Sequence, residues 1–295
     1  MGHNPHQKVG GVTVTDHDHA RRLRPPPGVR REVVRHVFGA AAPGADPVAA
    51  RLAQGNLPAS TDIHRDPPLD QGQTSSCTAH ALTKGVEILT SALGSQHVLY
   101  SLTGARQGDL SDSGRQCSDT IAVAREQGVA PFEGDVEGRH SDITTANATT
   151  PATYDETRAA LAHLVNLLPL RIDPALPDLS DRVVASLAIG SPVYLGTEVG
   201  AAFEDLGAGM VAQPTPASDT SGGGHALLIV GHRTNADGTR DFKVENSWGE
   251  GWDEAGECWA SLAWVAACWD LYPLALAAGS PSLLAEVVDA LRAVT

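Results

Sequence analysis

The spacing of hydrophobic positions along this chain changes period near its middle. Ala81, Leu82, Gly85, Ile88, Leu89 and Ala92 fall on one helical face. They predict a helix that begins at Ser76-Cys77 and ends near Gly94. Further helices are predicted over Ser118–Gln127 with Gly128 as its stop, over Asp155–Leu168, and over Asp181–Ala188 ahead of Gly190. Beyond this point the runs become short and β-rich: Pro192–Val199, His225–Gly231, Asp241–Glu245 and Glu257–Ala263. Ala226–Val230 is apolar without a break, as in a strand covered on both faces, while Phe242 and Val244 alternate with polar neighbours. Asn235-Ala236-Asp237-Gly238 lies between two such runs and reads as a hairpin turn. Its Asn/Asp content lacks the spacing and terminal Glu of a calcium loop. Helices first and strands second predict a segregated α+β architecture without internal repeats.

The flanks are patterned differently. Residues 1–27 are rich in His, Arg and Gly, end in Pro25-Pro26-Pro27, and read as flexible. Val29, Val33, Val34, Val37 and Phe38 paint one face of a short helix that needs something to bury against. Residues 40–56 read as an Ala/Gly/Pro-rich linker, and residues 61–73 as an extended polar loop. A last helix is predicted over Ser282–Ala293, with Leu283, Leu284, Val287, Val288 and Leu291 on one face. The expected division is an N-terminal extension (1–56), a main body (57–273) and a C-terminal helix (274–295).

Composition narrows the classes. With 295 residues, 42% of them hydrophobic, the chain can build one large domain or two lobes sharing a cleft. No apolar run approaches the roughly 20 residues needed to span a bilayer, so no membrane partner is expected. The N-terminus lacks an apolar signal region, and His6 breaks the myristoylation pattern. The formal charge of −14 argues against nucleic acid as a partner. Residues 1–37 hold seven Lys/Arg and three Asp/Glu, a net of +4, leaving −18 for the rest. A basic leader of this kind is suited to docking in cis on an acidic body. Asp16-His17-Asp18-His19 contains metal-ligand residue types, but in a mobile tail, and no metal is expected. The four cysteines, at 77, 117, 258 and 268, lack zinc or redox spacing and are expected as reduced thiols. The expected location is the cytoplasm, release without a classical signal peptide, or a place in a larger assembly.

Three segments carry candidate chemistry. Cys77 stands just inside a predicted helix start, where unpaired N–H groups and the helix dipole favour a thiolate. Taken alone, it reads more readily as a small buried helix residue. His225 follows Gly222-Gly223-Gly224 and opens an apolar strand, a position from which a ring can be held in a cleft. Asn246 ends the next strand in Asn-Ser-Trp-Gly-Glu-Gly-Trp. Its amide oxygen can accept from the far nitrogen of an imidazole, with Trp248 and Trp252 shielding the bond from water.

Together the segments Asp70-Gln-Gly-Gln-Thr-Ser-Ser-Cys77-Thr-Ala-His-Ala81, Gly224-His225-Ala226 and Val244-Glu-Asn246-Ser-Trp-Gly249 resemble papain-like (C1) cysteine peptidases, in the order that family shows. The resemblance implies two lobes, one helical and one β-barrel-like, with the active site in the cleft between them. It implies Cys77 as nucleophile, His225 as acid and base, Asn246 as orienting group, Gln71 as oxyanion donor and Trp248 as shield. It also implies a backbone contact from Gly114 to a peptide or protein substrate, and no cofactor. The sequence departs from the family's usual Cys-Gly-Ser-Cys-Trp: Thr74, Thr78 and His80 replace a cysteine and two aromatic residues. These departures leave two alternatives open, an inactive papain-fold module and an acyl- or amide-transfer enzyme using the same thiolate.

Overall fold

The computed structural model describes residues 46–132, 143–145, 147–162, 167–219 and 221–276. The predicted helix around residues 28–39 and the predicted C-terminal helix lie outside the described residues.

The first helix, α1 (Pro47–Ala53), corrects the linker reading of this stretch. Asp46 caps it by accepting the Val48 and Ala49 N–H groups, and Pro47 stands where a missing N–H costs nothing. Val48 packs with Leu170, Ala185 and Ala275, so α1 belongs to the body. A short strand, β1 (Ser60–Asp62), follows within the predicted loop. Next come α2 (Cys77–Thr90), α3 (Gln96–Gln107) and α4 (Cys117–Gln127). The apolar spacing gives no sign of α3, although Ser95 caps its start and Gly108 ends it at φ 69°. α5 (Tyr154–Ala162) is shorter than predicted, and α6 (Leu179–Ala188) begins two residues early.

The second half holds β2 (Val193–Val199), α7 (Ala201–Glu204), β3 (Val211–Ala212), β4 (Gly223–Thr234), β5 (Arg240–Glu245), β6 (Glu257–Ser261), α8 (Leu262–Ala266) and β7 (Asp270–Pro273). The sheet runs β3-β6-β5-β4-β2-β7, with β1 added to β4. Its pairs are antiparallel except β3 with β6. β3 and β7 stand at opposite ends of this order, so the described strands form an open mixed sheet. The α+β class is as expected, and the β-rich part is not closed into a barrel. The Asn235–Gly238 turn is present, closed by the Asn235 N–H on Thr239 O at 2.8 Å.

β4 is the shared wall of two apolar cores. Ala226, Leu228 and Val230 face one core with Cys77, Ala79, Leu82 and Val86 of α2. Leu227 and Ile229 face the other, with Val184, Phe242, Trp248 and Trp264. Burial on both faces explains the unbroken apolar run. α2 lies close on the sheet because Gly85 has no side chain: a Cβ there would stand 2.3 Å from Leu274 Cδ1 and 3.3 Å from Leu228 Cδ2.

Register slips between Ile229 and Gly231 of β4, and a Cβ on Gly231 would stand 2.7 Å from the Thr61 carbonyl oxygen. That neighbour is backbone and cannot swing aside. Gly231→Ala should therefore lower stability by about 1–3 kcal/mol. The expected readout is an earlier urea midpoint at unchanged m value; an unchanged midpoint would show that β1 yields freely.

Candidate active site

Cys77 is the first residue of α2, His225 the third of β4, and Asn246 follows the last residue of β5. They converge because the β4–β5 hairpin sets His225 and Asn246 side by side while α2 packs across β4. His225 Nε2 and Asn246 Oδ1 lie 2.7 Å apart, and the Ser247 N–H donates to the same Oδ1 at 2.8 Å. A backbone N–H can only donate, so it fixes which end of the amide is oxygen. Asn246 Oδ1 thus accepts from His225 Nε2–H, and Nδ1 becomes the ring nitrogen able to take a proton. Trp248 stacks on the His225 ring with centroids 4.8 Å apart and planes 25° from parallel. Trp252 and Phe203 meet Trp248 edge-on, at 5.3 and 6.0 Å. His225 and Asn246 are buried beneath this cluster.

The backbone N–H groups of Ala226, the residue after His225, of Thr78 and of Cys77 itself favour the thiolate of Cys77. Cys77 shares a buried core with Ala226, so the thiol lies beside the β4 segment that carries the imidazole. Burial pushes the Cys77 thiol up to about 11, and the three N–H groups pull the other way. A thiolate in such a site needs a proton acceptor beside it, which is what an imidazole on the adjoining residue offers.

Gln71 is held from both ends. Its side-chain Nε2 donates to Thr74 O at 2.7 Å, and its Oε1 accepts from Ser247 Oγ at 2.6 Å. The backbone ties this loop to the Asn246 loop through Gln71 N–H to Ser247 O at 2.8 Å and Gly249 N–H to Leu69 O at 3.1 Å. A carboxamide nitrogen has two hydrogens. One is used by Thr74, and the other is not committed to any hydrogen bond given by the described residues. Ser247 was not singled out in the sequence, although it sits inside the most specific motif.

Gly114 lies in a cluster that the sequence did not reveal. Its N–H donates to Tyr100 Oη at 3.2 Å, and its carbonyl accepts from Arg115 Nη1 at 2.9 Å. Its N–H is therefore already committed within the chain, and only the second lone pair of its carbonyl can meet a substrate backbone. Tyr100 Oη donates to Asp112 Oδ1 at 2.8 Å, which also accepts the Ser75 N–H at 2.9 Å. Asp112 so clamps the approach to Cys77 onto the Gly114 loop. Buried Arg115 lies over the Tyr100 ring at 4.0 Å.

His80 stands in the position where the family usually has a phenylalanine, one turn beyond the nucleophile. It is fully buried, and burial pulls its pKa down to about 4 from its ordinary 6.5. Hydrogen bonding from Ser76 and the charge of Asp70 oppose that shift only in part.

A papain family cysteine protease model matches residues 175–264, which include His225 and Asn246 but stop short of Cys77. No curated protein matches the sequence. Among solved structures, the fold is similar to xylellain, a cysteine protease from Xylella fastidiosa. The identity is 25%, the TM-score 0.64, and the match covers 81% of this chain and 94% of that one. It is also similar to digestive procathepsin L2 of the Tenebrio molitor larval midgut, at 23% identity and TM-score 0.55, covering 74% and 68%. The bromelain protease from Ananas comosus in complex with the E64 inhibitor matches at 17% identity and TM-score 0.51, covering 74% and 99%.

Because folded His80 binds its proton less readily than the unfolded chain, its contribution to stability is complete above 6.5 and is lost as pH falls toward 4. The loss over that window should reach up to roughly 3 kcal/mol. Urea midpoints at pH 7 and pH 4.5 should differ more in the wild type than in His80→Gln. An equal difference would show that other groups carry the acid sensitivity.

Proposed function

We propose that this chain, a papain-like cysteine peptidase of the C1 family, hydrolyses peptide bonds through an acyl-thioester on Cys77, with His225 as acid and base. The observation that carries the site assignment is the oriented pair: His225 Nε2–H on Asn246 Oδ1 at 2.7 Å, with Cys77 buried in the same core as the next residue, Ala226.

In this reading the Cys77 proton passes to His225 Nδ1, and the sulfur attacks the carbonyl carbon of the substrate. The oxygen gains charge and meets the Cys77 N–H and the second Nε2 hydrogen of Gln71. The imidazolium returns its proton to the leaving amine, and the C–N bond breaks. Water then attacks the thioester, its proton taken by His225, and the acid leaves as the thiol is restored. Asn246 keeps one ring nitrogen protonated throughout, so the other is always the one that exchanges protons. The anchoring of Gln71 by Thr74 and Ser247 supports its role, because a donor that is already aimed needs no reorganisation when charge appears. It also weighs against an inactive module, which has no use for such a donor.

Peptides or proteins are the substrates of this reading. The basic segment before residue 46 is proposed to dock in cis on the acidic body. The +4 against −18 charge split supports it. The four cysteines are free and buried.

Cys77→Ala should abolish cleavage of a peptide library and leave the unfolding midpoint within about 0.5 kcal/mol of wild type if it packs as a small residue. Cleavage that survives in this variant would refute the mechanism. Added amine should leave free acids as the main products; conversion to amides would favour the transferase reading. Gln71→Ala should lower kcat by about 10²–10³. An unchanged kcat would move the oxyanion donor elsewhere.

A further inference from the structure

Behind the active site, between α2 and the end of β5, lies a small cavity walled by Leu69 and Leu228 and lined by His80, Lys84, Glu245 and Asn246. Its room for water-sized centres is about 10 Å³, close to the space one water needs. Two buried atoms in this lining have no hydrogen-bond partner: His80 Nε2 and Asn246 Nδ2. We infer that a single ordered water bridges them, which makes His80 a positioning residue for the catalytic asparagine.

The bridge follows from donor and acceptor bookkeeping. His80 Nδ1 lies 3.0 Å from the Ser76 carbonyl oxygen, which can only accept, so Nδ1 carries the hydrogen. Nε2 is then a bare lone pair. Asn246 Oδ1 already accepts from His225 and Ser247, so its NH2 end is a pure donor turned away from both. An acceptor and a donor thus line one water-sized space without bonding each other, and a water, which both donates and accepts, can serve the two at once. Lys84 donates to Asp66 O and Pro67 O at 2.7 and 2.8 Å, and Glu245 is paired with Arg65 at 2.8 Å. Glu245 still offers the water a third partner through its other lone pairs.

The consequence reaches the reaction. Ser247 holds the oxygen end of the Asn246 amide, and the water holds the nitrogen end. Without the second hold, the amide swings more freely, and the His225 ring loses part of its fixed orientation. An aromatic ring at position 80, as the family usually has, presents no acceptor to this space.

The inference rests on the catalytic reading above, and the test separates the two. A high-resolution crystal structure of the wild type should show one water within hydrogen-bond distance of His80 Nε2 and Asn246 Nδ2; a dry cavity would overturn the bridge. In kinetics, His80→Gln keeps an acceptor where Nε2 stands, whereas His80→Asn and His80→Phe do not. The latter two should lose roughly fivefold in kcat, and His80→Gln should stay within about twofold of wild type, with KM nearly constant in all three. Equal kcat across the series, or equal losses in the Gln and Asn variants, would refute the bridge. If His80→Phe does not fold, the Gln and Asn pair decides. Asn246→Ala is the control: a lowered kcat beside a flat His80 series removes only the water, and an unchanged kcat removes the catalytic reading as well.

Discussion

The chemistry of this molecule hangs on one oxygen atom. Asn246 Oδ1 receives the Ser247 N–H and the His225 Nε2–H at once, and so fixes both its own amide and the tautomer of the imidazole. The bond is short and buried beneath Trp248, where neither bulk water nor salt weakens it. Everything else positions this pair against sulfur. The β4–β5 hairpin sets His225 and Asn246 on neighbouring strands. The stitch between residues 69–71 and 247–249 brings Gln71 to the same place. The packing of α2 across β4 delivers Cys77.

Much of this was legible in the sequence, for reasons that differ from site to site. The Ala226–Val230 strand was visible because burial on both faces leaves an uninterrupted apolar run. The end of α4 was visible because Gly128 stops it, and the β4–β5 turn because Asn235 to Gly238 has few other uses. α1 and α3 were not seen. Both have sound capping residues, Asp46 and Ser95, but short or mixed apolar faces that yield no strong period. Propensity and periodicity weigh the middle of a helix, and these two are set by their ends and by what they pack on. The strand order of the sheet was hidden for another reason: no local pattern reports which strands meet across a sheet.

The site divides the same way. Cys77, His225, Asn246, Gln71 and Trp248 are brought together as their motifs suggested. Asp112, Tyr100 and Arg115 act through contacts between loops remote in sequence, and no single one of these residue types announces such a role. His80 was noticed only as a departure. Its meaning depends on a space between α2 and β5 that exists only after folding. Gly114 shows the converse: its motif was visible, but the commitment of its N–H to Tyr100 was not.

The double duty of β4 has a mechanical consequence. Two lobes that shared only a linker could rotate apart like a clamshell. Here the same backbone, at alternate residues, is the inner lining of both halves, so spreading them would tear a strand buried on each side. The setting of one core against the other is thus an architectural constant.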